Sequence, residues 1–132
     1  MPVLPPLYRP PGHRTKREVR TEYDQRRGTA RERGYGSRWD KASKGYRRSH
    51  PLCLGCQAAG RITPASLVDH VIPHKGDQAR FWDRDNWQPS CADHHDLVKQ
   101  RLEALFVQGK ATAQDLRLDS AKAIAMTEEL LP

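Results

Sequence analysis

Two short turns carry metal-binding side chains at matched spacing: Cys53-Leu54-Gly55-Cys56 and Cys91-Ala92-Asp93-His94. A turn of that length can aim both of its ligands at one ion, and two such turns complete a tetrahedron. Thiolates suit zinc, and a site with all four positions filled is structural rather than catalytic. Cys53, Cys56, Cys91 and His94 are therefore the expected ligands of a structural Zn2+ ion. His95 is adjacent and could replace His94, although the CxxH spacing mirrors the CxxC turn and favours His94. Two blander readings compete. Cys53 and Cys56 could be a redox pair, but no βαβ pattern surrounds them, and Cys91 could be merely a buried thiol.

A second constellation is Val68-Asp69-His70-Val71, which sets an acid beside a histidine. Strand alternation sends neighbouring side chains to opposite faces, but at a strand end or bend both can approach one substrate. A carboxylate and an imidazole make an open divalent-cation site, leaving positions for water and phosphate oxygens. An unligated imidazole beside that cation can take a proton from water near neutral pH. On this reading Asp69 and His95 hold the cation and His70 is the general base. Mg2+ or Mn2+ suits so open a site.

These groups need elements to position them. A helix is expected over residues 38–49, with Trp39 and Tyr46 on one face, ended by His50-Pro51. A short strand is expected over 61–63, a second over 67–72, a polar loop over 73–85, and a brief extended return at Trp87-Gln88. From Asp93 the pattern turns helical, with Val98, Leu102 and Leu105 on one stripe and Gly109 as the stop. A last helix is expected from Thr112, where Thr112 and Asp115 fit a capping box, burying Leu116, Ala123, Ile124 and Leu130. Trp39, Tyr46, Trp82 and Trp87 read as packing residues, although Trp82 and Trp87 could stack on bases, and His13 and His50 read as bystanders.

With 132 residues, 36% hydrophobic and 30% charged, the chain has little material for a core. Cores that small usually need a metal or disulfides, and three cysteines cannot pair fully. No apolar run approaches spanning length and no signal peptide opens the chain, so no membrane partner and a cytoplasmic location are expected. Residues 1–50 hold 14 Lys/Arg against 5 Asp/Glu, and the remainder 9 against 11. A basic arm on a slightly acidic body suggests a polyanion held through its phosphates; a solubilising tail is the plain alternative.

The run Val68-Asp69-His70-Val71-Ile72-Pro73-His74-Lys75-Gly76-Asp77 resembles the first half of an HNH endonuclease motif. Phe81-Trp82-Asp83, Asn86-Trp87-Gln88 and Cys91 to His95 resemble its second half. The chain is most similar to the small HNH endonucleases encoded beside phage DNA-packaging genes, over Gly34 to Glu103. The resemblance includes the Gly34-Tyr35-Gly36 and Trp39 approach and the Pro51-Leu52-Cys53 entry.

That resemblance implies an α+β fold: a small zinc-stabilised ββα-metal (His-Me finger) domain with flanking helices and a disordered basic N-terminal arm. The expected organisation is a flexible arm over 1–37, a nuclease domain over 38–110 and a C-terminal helix over 111–132. It implies His70 as general base, Asp69 and His95 on a catalytic cation, and Asn86 fixing the loop between the strands. It also implies hydrolysis of double-stranded DNA leaving 5′-phosphate and 3′-hydroxyl ends, in the bacterial host cytoplasm, with a phage terminase or portal as a further partner. Lys75 and Arg80, with His74, could touch the DNA backbone from the polar loop, although an ordinary exposed loop is the plainer reading.

Two positions depart from the family. His94 stands where relatives commonly have cysteine. Lys99 stands one helical turn beyond His95, where some relatives place a third metal ligand; it could meet phosphate or be a solvated helix residue. The competing functions are a non-catalytic zinc-knuckle DNA-binding module and a terminase-accessory protein docking through the C-terminal helix.

Overall fold

In the computed structural model, which describes residues 11–27 and 35–132, the basic arm is not wholly structureless. Lys16–Arg27 form helix α1. It opens with a capping box: Glu18 accepts from the Thr15 N–H while Thr15 accepts from the Glu18 N–H. Arg14 pairs with Glu22 beside it. A segment without an apolar period can hold a helix when a cap satisfies its first donors. Residues 1–10 and 28–34 of the expected arm lie outside the described residues.

Helix α2 (Ser37–Ser49) buries Trp39, Ser43 and Tyr46, one stripe at spacings of four and three. It ends at His50, ahead of Pro51. Helix α3 (Leu54–Ala58) carries the CxxC turn. The strand expected at 61–63 does not form. Instead the Cys53 N–H donates to the Thr63 carbonyl, and Leu52 and Pro64 make one isolated bridge. Pro51 and Pro64 lack the donors that a longer ladder would need.

Strands β1 (Leu67–His70) and β2 (Trp87–Ser90) pair antiparallel, with Asp69 opposite Gln88 and His70 opposite Trp87. The connection expected to be a plain loop holds helix α4 (Gln78–Phe81) and a 3-10 turn (Arg84–Asn86). Asp77 caps the first by accepting from the Arg80 N–H, and Asp83 caps the second by accepting from the Asp85 N–H. Asparagine and aspartate favour such local bonds, so a polar loop readily folds into single turns.

Beyond β2 the chain winds as a π-helix over His94–Lys99 and as α5 over Gln100–Val107. Gly109, at φ 74°, ends it. Thr112 and Asp115 do exchange capping bonds, but they close only the 3-10 turn Gln114–Leu116. Helix α6 starts later, at Ala121, capped by the Ser120 hydroxyl oxygen. The reason is packing. Leu116 and Leu118 are both fully buried, and residues two apart share a face only when the chain between them is extended, as it is at Arg117.

Among the described residues the elements are six α-helices and one two-stranded sheet, a small α+β fold. An aliphatic core joins Val71, Val98 and Leu102 to Leu116, Leu118, Ala123 and Met126. Four of those seven come from beyond residue 110, so the C-terminal segment is core rather than appendage. An aromatic core gathers Trp39, Tyr46, Val68, Phe81 and Trp87. No described helix is long and apolar enough to cross a membrane.

Candidate functional site

The two turns converge. Ligand atoms of Cys53, Cys56, Cys91 and His94 all lie within 4.8 Å of one another, and the group could hold a metal ion. His94 Nδ1 is 3.4 Å from both Cys56 Sγ and Cys91 Sγ, and those sulfurs are 3.8 Å apart. A tetrahedral zinc with Zn–S near 2.3 Å and Zn–N near 2.0 Å separates its ligands by about 3.5–3.8 Å, so the donor set fits zinc. His94, not His95, faces the sulfurs. Its Nε2 meets Thr127 Oγ1 at 3.1 Å, and that hydroxyl already donates to the Ala123 carbonyl. Thr127 must therefore accept the Nε2 proton, which leaves the Nδ1 lone pair aimed at the sulfurs. Burial holds His94 below the ordinary imidazole range and pushes the Cys91 thiol up. The histidine is thus a neutral ligand, and the thiol gains most from a cation that stabilises its thiolate.

A second site lies in a cleft of 990 Å³ that Asp69, His70, His74 and His95 line together. Asp69 Oδ1 is 3.8 Å from His95 Nε2. Two atoms each about 2.1 Å from one cation can be no more than about 4.2 Å apart, so this pair fits a shared ion. His95 Nδ1 is 2.9 Å from Asp96 Oδ1, which fixes the proton there and leaves Nε2 as the donor atom facing Asp69. Among the described residues only the cysteine-rich group gathers three or more ligands; the cleft offers two.

His70 is walled in. Trp39 stacks on its ring at 5.0 Å and Phe81 lies at 4.6 Å. Its Nε2 donates to the Phe81 carbonyl at 3.0 Å, an oxygen that also accepts from Trp87 Nε1 at 2.8 Å. Burial holds His70 below the usual imidazole value, outweighing the carbonyl bond that favours the charged form. The ring is therefore neutral near pH 7, with its base at Nδ1. Asn86 ties the loop after β1: its Oδ1 accepts from the Ile72 N–H and its Nδ2 donates to the Ile72 carbonyl.

Lys99 overturns its expectation. It is 1% exposed, so it is neither a solvated helix residue nor a phosphate contact. Its Nζ donates to the His70 carbonyl and Glu103 Oε1 and forms an ion pair with Asp69 Oδ2 at 2.9 Å. A lysine one helical turn past His95 reaches inward because a carbonyl and the Glu103 carboxylate accept from it and Asp69 balances its charge. Lys75 is exposed, adopts φ 49° and lines the cleft, whereas Arg80 is exposed outside its lining. Sequence reasoning missed Thr127, Gln88 and Gly55. Gln88 donates to Asp69 Oδ2 and the Leu116 carbonyl and accepts from the Leu118 N–H; its alternation with Trp87 on β2 was the one available signal.

No protein-family model, curated protein or solved structure matches this chain.

Proposed function

We propose that the chain is a metal-dependent endonuclease of the HNH type, hydrolysing phosphodiester bonds of double-stranded DNA. One observation carries the reading. A neutral histidine with one nitrogen tied to a backbone carbonyl shares a cleft with a carboxylate oxygen and an imidazole nitrogen 3.8 Å apart. Cys53, Cys56, Cys91 and His94 would hold a structural Zn2+ that joins α3 to the start of the π-helix. Asp69 and His95 would hold a catalytic Mg2+ or Mn2+, which when bound polarises the scissile phosphate and stabilises the leaving oxygen. His70 Nδ1 takes the proton of the attacking water, and the Phe81 carbonyl orients the ring for it. Asn86 holds the loop against β1, and Lys75 faces the DNA backbone at the cleft mouth. A place in phage DNA packaging, with terminase or portal as partner, follows from the family resemblance.

Nicking of supercoiled plasmid in Mg2+ or Mn2+ tests this. The wild type converts it to open circles, and His70→Ala loses about a hundredfold or more of that rate, the usual share of a general base. A wild type that nicks no faster than His70→Ala would remove catalysis from the reading.

Two observations favour a second reading. Lys99 puts an ammonium where a third ligand would stand, and α1 is a basic helix. A zinc-knuckle module that binds DNA, or a terminase accessory, without cutting fits both. Tight DNA binding with no cleavage in any divalent ion would select it.

A further inference from the structure

The buried ammonium of Lys99 has a consequence for the cation site proposed at Asp69 and His95, and the inference rests on that site. Nζ lies 2.9 Å from Asp69 Oδ2, 2.7 Å from the His70 carbonyl and 2.8 Å from Glu103 Oε1. Gln88 Nε2 donates to the same Asp69 Oδ2 at 2.9 Å. That oxygen is committed to the Gln88 amide and the Lys99 ammonium, and Oδ1 is the one turned towards His95. We infer that Lys99 is an internal counter-cation: it limits Asp69 to ligation through one oxygen and keeps divalent-ion affinity low until DNA arrives.

The charges give the direction. Asp69 and Glu103 contribute two negative charges and Lys99 one positive, so the cluster offers a divalent ion a net charge of minus one. Repulsion between the ion and an ammonium sharing its carboxylate is stronger in a buried site than in water. A phosphodiester entering the cleft adds one negative charge and fresh oxygens, which restores a favourable balance. Binding of ion and DNA is then mutually reinforcing, each raising the other's affinity by the same factor. Lys99 is a positioning residue, since it acts through Asp69 and the backbone of His70.

Zinc-loaded full-length protein titrated with Mn2+, with free Mn2+ counted by electron paramagnetic resonance, tests this without an activity readout. In the absence of DNA, Lys99→Met and Lys99→Gln bind Mn2+ about tenfold tighter than the wild type, while their nicking rate falls because Asp69 and His70 lose a common anchor. A purely structural lysine would leave the affinity unchanged or weaken it; either result in a variant with a cooperative melt overturns the inference. Should neither variant fold, Glu103→Gln, at a half-exposed side chain, decides the matter. It removes one of the two negative charges and leaves the ammonium, so Mn2+ binds more weakly; unchanged affinity overturns the inference. A separate outcome is equal Mn2+ binding by the wild type and Asp69→Asn, which overturns the cation site itself.

Discussion

Replacing Gly55 by alanine should weaken the cysteine-rich centre although alanine is the better helix former. Gly55 sits inside α3 between the two cysteines, and a β-carbon there would lie 2.2 Å from His94 Cδ2, 2.5 Å from Nε2 and 2.8 Å from Cγ. Ordinary contact begins at 3.4 Å, so the ring would have to retreat by about 1.2 Å. It has nowhere to go. Nδ1 is held 3.4 Å from two sulfurs and Nε2 3.1 Å from Thr127, and metal–ligand distances tolerate only about 0.2 Å.

The opposing effects can be weighed. Alanine gains about 1 kcal/mol of helix propensity over glycine. Overpacking costs about 1–3 kcal/mol, and a displaced ligand loses at least about tenfold in zinc affinity, near 1.4 kcal/mol. The net is destabilisation by about 1–3 kcal/mol, a fall of about 4 °C or more in Tm. Gly45, in α2, is the control: nothing lies within 4 Å of its added carbon, so Gly45→Ala should raise Tm. Thermal melts with zinc, and the visible spectrum of the Co2+-substituted protein, read both variants. A Gly55→Ala chain that melts above the wild type and keeps its tetrahedral cobalt bands would refute the close approach of the His94 ring.

Thr127→Val keeps the shape of α6 but leaves the His94 Nε2 proton buried and unpaired, so zinc affinity should fall about 10- to 100-fold. Chelator competition measures it, with Thr127→Ser as the retained-hydroxyl control; equal affinity for valine and threonine would dissociate α6 from the metal centre. The lowered pKa of His70 has a definite sign. The unfolded chain takes up this proton at higher pH than the folded one, so His70 favours folding above the ordinary value of 6.5, and that contribution is lost as pH falls through the folded value. The nicking rate should therefore reach half its plateau only below pH 6.5; a half-point above pH 6.5 contradicts a buried neutral base.

Spacing alone made the four-ligand group legible, because each four-residue turn can close on one ion wherever it sits. Helix α2 was legible for a similar reason, since its stripe at helical spacing and the stop at His50-Pro51 are local signals; the hairpin strands were legible in place, although the first was expected two residues longer than β1. The adjacency of Asp69 and His70 was visible too. Four things were not. The CxxH spacing favoured His94 over His95, but how the chain leaves β2 decided it, since consecutive helical residues face different directions. Lys99 reads as a surface lysine because most lysines are solvated, and its three partners come from β1 and from its own helix at once. Thr127 lies 33 residues from His94 and Gln88 lies 30 from Leu118, pairings that no local pattern encodes. The capping box at Thr112 was correct in its bonds and wrong in its reach, because burying both Leu116 and Leu118 demanded an extended chain. Ligand types and spacing are properties of a few neighbouring residues; which proton each histidine keeps, and which charge is buried, depend on segments that meet only after folding.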